Sequence, residues 1–126
     1  MLFRSRYSRV YLESIGYELP PVVVSTNELE SRLSPVYQAL RMAPGQLELL
    51  TGISERRWWE PNYRLSDGAT AAARKALAAA DVSPDEIDVL TYTGVCREQY
   101  EPATACAVAA NLGINSDAAV YDLSNA

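Results

Sequence analysis

The chain has 126 residues, of which 48% are hydrophobic and 21% are charged. This balance is typical of one globular domain and excludes a disordered or fibrous chain. Eleven basic and 16 acidic residues give a net charge of −5, which argues against nucleic acid or an anionic membrane as the main partner. No apolar run approaches the roughly 20 residues needed to span a bilayer.

The residue types that are absent or rare narrow the chemistry further. The chain contains no histidine, which excludes an in-chain Ser-His-Asp triad, a Cys-His dyad and a histidine-rich zinc site, and we predict no metal. The opening MLFRSRYSRV lacks the apolar core of a signal peptide, so we expect a cytoplasmic protein whose two cysteines are thiols. Any chemistry must therefore use carboxylates, thiols or backbone groups, or groups supplied by another polypeptide.

The first half of the chain predicts short elements separated by turns. Val10 to Tyr17 is rich in β-branched and aromatic residues and predicts a strand. Ser25 and Glu28 have the spacing of a capping box at the start of a helix. Helical stretches are predicted over 29–33, 35–42 and 46–50, followed by an irregular strand or loop over 52–62.

The second half predicts alanine-rich helices alternating with strands. Ser66 is predicted to cap a helix over 67–80, whose inward stripe of alanines lets a neighbour approach closely. Ser83 and Glu86 form a second capping box. A buried strand over 87–93, a helix over 103–112 ended by Gly113, and a strand over 118–123 then predict a βαβ unit with parallel strands.

The carboxyl ends of these two strands are the predicted site, because ligands of open α/β sheets bind there. The loop 94–102 and the terminus 124–126 follow those ends. Of the two thiols, Cys96 on the loop is expected to be partly exposed and incidental to function. Cys106 in the alanine-rich helix is expected to be a small buried hydrophobe.

A charged aromatic segment in the middle of the chain has two interpretations. Arg56 and Arg57 would clamp phosphate while Trp58 stacks on a cofactor-like group, or one tryptophan packs in the core while the arginines pair with Glu55 and Glu60. We favour the second interpretation.

Several motifs together resemble the type III β-ketoacyl synthases of the thiolase-like superfamily. Residues 52–56 (GISER) resemble the Gly-Ile-x-Glu-Arg signature, and the alanine helix, SPDEID, strand, loop ending in proline, second alanine helix and NLGI follow in the family's order. The resemblance covers essentially the whole chain. It implies an α/β, thiolase-like fold, of which this chain is the N-terminal part of the first half: a mixed sheet with a βαβ unit, packed by alanine-rich helices.

Within this superfamily, the opening MLF, Arg56-Arg57-Trp58 and Tyr100-Glu101-Pro102 resemble the long-chain acyl-CoA condensing enzymes of bacterial olefin (hydrocarbon) biosynthesis. That resemblance implies a homodimeric acyltransferase that condenses acyl-CoA or acyl-carrier-protein thioesters, without a further cofactor, through an acyl-cysteine. It implies that Glu101 is the general base, acting in the partner subunit's site, and that Arg56, Arg57 and Trp58 contact substrate. From the residues alone, Glu101 is a solvated loop carboxylate.

The last five residues, Asp122 to Ala126, resemble the family's Asp-x-x-x-Ala run, in which the next residue is the catalytic cysteine. The resemblance implies that residues 1–126 are an N-terminal segment whose nucleophile and remainder lie on another chain or segment that activity requires. Three alternatives stay open: decarboxylating condensation of the β-ketoacyl-carrier-protein synthase III type, acyl transfer to oxygen or nitrogen, and a non-catalytic thiolase-like partner subunit.

Overall fold

The computed structural model describes residues 8–124. The opening MLF and the last two residues, Asn125 and Ala126, lie outside the described residues, as does the position expected for the nucleophile. The chain divides into two compact units, one formed by residues 19–63 and the other by residues 8–18 together with 64–124. In residues 8–124, no helix is long and apolar enough to cross a membrane.

The unit of residues 19–63 contains a two-stranded antiparallel sheet and three short helices. Strand β1 (Val22–Ser25) was not predicted; it pairs with β2 (Glu55–Trp58), which lies within the predicted strand or loop. The helices are α1 (Thr26–Arg32), α2 (Ser34–Leu40) and α3 (Gln46–Thr51). The Ser25 hydroxyl accepts a hydrogen bond from the Glu28 N–H at 3.1 Å, so the predicted cap is confirmed.

A buried carboxylate connects the three helices of this unit. Glu30 on α1 is only 7% exposed. Its carboxylate accepts hydrogen bonds from the Tyr37 hydroxyl at 2.9 Å and from the N–H groups of Gly45 and Leu47 at 2.6 and 2.8 Å. The two backbone donors, with smaller help from Tyr37, hold the pKa of Glu30 below its ordinary value despite burial. Glu30 therefore fixes the turn that precedes α3.

The other unit contains the predicted βαβ arrangement. Its elements are α4 (Leu65–Ala80), a short 3-10 helix (Pro84–Glu86), β3 (Val89–Thr93), α5 (Thr104–Leu112) and β4 (Ala119–Leu123). Strands β3 and β4 are parallel, as predicted. The expectation that β3 is buried is wrong: its residues alternate between exposed and half-buried, and Val89 is 58% exposed. Successive side chains of a strand point to opposite faces, and α5 packs against this two-stranded sheet.

Segment 8–18 lies against α4 and forms no strand, so the strand predicted over 10–17 is wrong. Its sequence favours a strand, but within residues 8–124 it pairs with no other strand. Instead the Ser14 hydroxyl donates to the Ala76 carbonyl at 2.8 Å, and Glu18 forms an ion pair with Lys75 at 2.6 Å. A Cβ atom at Gly16 would lie 2.2 Å from the carbonyl oxygen of Ala72. The alanine stripe thus permits the close approach that its small side chains predict.

Two further local predictions in this unit are confirmed. The Ser83 N–H donates to the Glu86 carboxylate at 2.8 Å at the start of the 3-10 helix, which completes the second capping box. Gly113 ends α5 with a φ of 77°, a left-handed conformation that glycine adopts without strain.

Candidate active site

The predicted site at the carboxyl ends of β3 and β4 is a single edge of the sheet. Thr93 and Leu123 are paired at the end of the ladder. The pairing continues one step further, because the Gly94 N–H donates to the Leu123 carbonyl at 3.3 Å and the Ser124 hydroxyl donates to the Gly94 carbonyl at 3.1 Å. The start of the loop 94–102 therefore lies beside the last described residue.

Asp122 attaches this edge to the start of α5. Its two carboxylate oxygens accept hydrogen bonds from the N–H groups of Thr104 and Ala105, each at 2.8 Å. These N–H groups belong to the first turn of a helix, where backbone donors have no partner within the helix. The residue before the helix, Ala103, has no side-chain acceptor. The absence of a capping side chain at Ala103 is the sequence signal that the first N–H groups of α5 need an acceptor from elsewhere in the chain.

Glu98 makes the corresponding attachment between the loop and α4. Its side chain is 13% exposed, and its carboxylate accepts from the Ser66 N–H at 2.6 Å and from the Arg64 guanidinium at 3.1 Å. Burial acts to raise the pKa of Glu98, but these donors outweigh it and the pKa is lowered. The predicted capping role of Ser66 is wrong, because α4 begins two residues before the predicted start and Glu98 provides the acceptor.

Glu101 lies on the exposed part of the same loop. It follows Tyr100, which is 91% exposed, and precedes Pro102 through a cis peptide bond. Its own carboxylate is exposed and forms no ion pair with any of residues 8–124. The structure thus places Glu101 on the exposed part of the loop that follows β3, and its role as a base stays a prediction.

Other groups at the loop are more weakly attached. The Arg97 guanidinium donates to the Ser124 hydroxyl at 3.4 Å, and the Tyr92 hydroxyl donates to the Cys96 carbonyl at 3.4 Å. Burial, and then the charge of Asp122, raises the pKa of Tyr92. Loop residues 95 and 97–100 line an open cavity of about 370 Å³. The loop therefore combines one half-buried carboxylate, that of Glu98, with otherwise exposed contacts.

The two thiols are both exposed, as expected for Cys96 but not for Cys106. The buried residues of α5 are Thr104, Ala105 and Val108, so Cys106 lies on the other side of the helix. An alanine-rich helix offers few large side chains to mark its inner face, which is why the prediction was wrong. Among residues 8–124, no group of three or more cysteine, aspartate or glutamate side chains is arranged to hold a metal ion.

The predicted substrate contacts lie in the other unit, on β2. The Arg56 guanidinium donates to the Thr26 hydroxyl and the Arg57 guanidinium to the Pro20 carbonyl, each at 3.3 Å. Neither pairs with Glu55 or Glu60, so that part of the favoured interpretation is wrong. Both arginines bind neutral oxygens and so keep their charge uncompensated by these contacts.

The neighbouring aromatic side chains differ in their contacts. Trp58 is partly exposed, with the Arg32 guanidinium 5.4 Å from its ring centroid. Trp59 is half-buried and stacks on Tyr63 with 3.9 Å between ring centroids. Neither tryptophan belongs to the buried core, so the expectation that one of them packs there is wrong. Trp58 is therefore the more exposed of the two tryptophans, and its contact with substrate stays a prediction.

Solved structures show the class of protein to which this fold is similar. The 3-oxoacyl-(acyl carrier protein) synthase III of Xanthomonas oryzae superposes with a TM-score of 0.83 at 34% identity, over 90% of this chain and 33% of that one. The cerulenin-bound OleA of Xanthomonas campestris gives the same values. The predicted thiolase-like α/β fold is confirmed. No protein-family model matches the chain.

Curated relatives then define the particular group. The acyl-CoA:acyl-CoA alkyltransferase of Shewanella oneidensis is 58% identical over 121 residues, which cover 96% of this chain and 35% of that protein. The enzyme of the same name from Xanthomonas campestris is 34% identical over 95% of this chain and 36% of its own length. The chain spans about a third of the length of these relatives. It is a homologue of a segment of the acyl-CoA:acyl-CoA alkyltransferases, as the sequence motifs indicated.

Proposed function

We propose that this chain is part of an acyltransferase that joins two acyl-CoA thioesters by Claisen condensation to a β-keto product. The observation that carries this proposal is the 58% identity to the Shewanella oneidensis acyl-CoA:acyl-CoA alkyltransferase, which extends over 96% of the chain. The 121 aligned residues leave out five of the chain's 126, too few to omit the loop 94–102 at the edge of the sheet. The arrangement of that edge agrees with a site built just beyond β4.

The proposed reaction has two steps. In the first, a cysteine thiolate expected immediately after Ala126 attacks an acyl-CoA, and CoA leaves as the acyl-cysteine forms. In the second, Glu101 removes a proton from the α-carbon of a second acyl-CoA. That carbon then attacks the acyl-cysteine carbonyl, a carbon–carbon bond forms, and the carbon–sulfur bond breaks to release the thiolate. The proton held by Glu101 restores the thiol.

The surroundings of Glu101 lead to the proposed assembly. A carboxylate is a weak base toward carbon while water solvates it, and Glu101 is exposed in this chain. We propose that a second copy of the enzyme covers the loop, so that Glu101 acts in the partner's active site within a homodimer. The remaining polypeptide, a cytoplasmic location, and substrate contacts by Arg56, Arg57 and Trp58 belong to the same proposal.

The test separates the two steps in the intact enzyme that contains this chain. With a single acyl-CoA, the CoA released in the first turnover reports acylation. With both substrates, mass spectrometry of the β-ketoacyl-CoA, or of the β-keto acid and ketone that follow from hydrolysis of its thioester, reports condensation. Glu101→Gln should leave acylation unchanged and lower condensation by about 10²- to 10⁴-fold, the range for loss of a general base. Glu48→Gln, at an exposed position on α3, is the matched control. Condensation by Glu101→Gln at the rate of the unaltered enzyme would refute the assignment.

A second candidate function is decarboxylating condensation with a malonyl thioester. The structural match to the Xanthomonas oryzae 3-oxoacyl-(acyl carrier protein) synthase III, at the same TM-score, favours it. Loss of carbon dioxide would generate the carbanion there, so that reaction requires no carboxylate base. Carbon dioxide released from a malonyl thioester, with no product from two acyl-CoAs, would identify this reaction.

A further inference from the structure

We propose that Glu98 is a positioning residue: it holds the loop 94–102 against the start of α4 and thereby fixes where Glu101 is presented. The inference rests on the proposed function, because it assumes that Glu101 has chemistry to perform. It adds a residue that neither the sequence motifs nor the exposed surface of the loop indicated.

The first argument is the environment of Glu98. The Ser66 N–H that it binds is in the first turn of α4, a 16-residue helix with no side-chain cap of its own. Free N–H groups and the positive end of the helix dipole both favour a carboxylate at this point. With 13% exposure and donors at 2.6 and 3.1 Å, Glu98 is held to a rigid element of the unit.

The second argument is the weakness of the other contacts in this loop. The contact between Tyr92 and Cys96 is 3.4 Å long, that between Arg97 and Ser124 is 3.4 Å, and that between the Gln99 side chain and the Pro102 carbonyl is 3.5 Å. All three are exposed. The 2.6 Å contact of Glu98 is therefore the shortest hydrogen bond of these loop side chains, and it is the least exposed to water.

The third argument is distance along the chain. Glu101 is three positions after Glu98, and three residues of fully extended chain span about 10 Å. Beyond Glu101 the chain is fixed again, where Asp122 binds the N–H groups of Thr104 and Ala105. Glu101 thus lies on a short bridge between two carboxylate anchors. Loss of the Glu98 contact would let the Glu101 carboxylate move by ångströms, while the contacts of Asp122 keep the sheet edge in place.

The experiment measures acylation and condensation separately in the intact enzyme. Glu98→Ala should lower condensation by about 10- to 100-fold, the cost of displacing a reacting group by about 1 Å, while acylation stays unchanged. A double variant, Glu98→Ala with Glu101→Gln, should show the same residual condensation as Glu101→Gln alone, because Glu98 acts only through Glu101. Glu98→Gln keeps the length and an acceptor for the Ser66 N–H, so it serves if Glu98→Ala does not fold, and its loss of condensation should be smaller.

Glu86→Ala is the matched control. It also removes a carboxylate bound to a backbone N–H at the start of a helix, but outside the loop, and it should leave both steps unchanged. Unchanged condensation in the Glu98 variants, or an equal loss of acylation, would overturn the positioning role. Full condensation by Glu101→Gln would instead refute the proposed role of Glu101 as the base. Loss of condensation in Glu101→Gln without loss in Glu98→Ala would refute only the positioning role of Glu98.

Discussion

The Asp122 carboxylate accepts a hydrogen bond from the Thr104 N–H at 2.8 Å, although the two residues are 18 positions apart in the chain. Asp122 stands near the end of β4, and Thr104 begins α5, which lies between the two strands in sequence. This contact joins the end of β4, which precedes the expected nucleophile, to the start of α5, which packs against the sheet. The geometry of that edge therefore depends on a side chain as well as on the strand ladder.

Replacement of Asp122 tests this attachment. Asp122→Asn keeps the size of the side chain but places an amide group against one of the two N–H donors, which then lacks an acceptor. A backbone donor left unpaired costs about 1–3 kcal/mol, and we expect a loss of that size in the free energy of unfolding. Urea denaturation of the intact protein measures it. Asp117→Asn, at an exposed turn position, makes the same chemical change and should be neutral, and equal stability of the two variants would contradict the capping role.

Gly16 provides a test of the close approach between segment 8–18 and α4. A Cβ atom there would lie 2.2 Å from the Ala72 carbonyl oxygen and 2.4 Å from the Ala76 nitrogen, so the backbone must move apart. Gly16→Ala should therefore destabilise the intact protein by about 1–3 kcal/mol, the usual cost of overpacking. Thermal or urea unfolding is the measurement.

Ser14→Ala is the companion variant, since it removes the hydrogen bond to the Ala76 carbonyl without adding atoms. It should cost only about 1 kcal/mol. Equal stability of Gly16→Ala and the unaltered protein would show that segment 8–18 does not pack against α4 in this way.

Local signals in the sequence predicted the elements whose stabilising contacts are themselves local. The cap formed by Ser25 and Glu28 and the helix end at Gly113 each involve residues within a few positions of one another. Strand β1 was not predicted, because four residues are too few to show an alternation of apolar and polar side chains. Its partner, β2, also lies about 30 residues further along the chain. The expectation of a strand over 10–17 was wrong because composition favours a strand there but does not supply a partner. A strand forms only where another segment of the fold lies beside it to accept its hydrogen bonds.

In the candidate site, too, the sequence predicted some features and not others. The order of strands and the edge at their carboxyl ends followed from the βαβ pattern, because parallel strands must end on the same side. Glu98 and Asp122 could not be assigned from their own positions, since each binds a helix start that is distant in sequence. For Asp122, the indirect sequence signal is that Ala103, before α5, has no side chain that can cap the helix. For Glu98, the corresponding signal at Arg64 is hidden by Ser66, which has the residue type of a cap but lies inside the helix.

The lowered pKa of Glu30 leads us to expect that the free energy of unfolding depends on pH. Its pKa in the folded protein is lowered below the ordinary value of 4.5 by the N–H groups of Gly45 and Leu47. A lowered pKa means that the folded state favours the charged carboxylate, so its stabilising contribution is complete above pH 4.5 and is lost as the pH falls through the folded-state value. Glu30→Gln lacks this titration.

The difference in unfolding free energy between the unaltered protein and Glu30→Gln should therefore be largest at neutral pH and shrink as the pH falls below 4.5. Urea denaturation of both proteins across that range measures the difference. Glu28→Gln is the control on the same helix, because Glu28 forms an exposed ion pair with Arg32, and such pairs contribute little to stability. A difference for Glu30→Gln that stays constant with pH would show that the carboxylate is not held in its charged form by these donors.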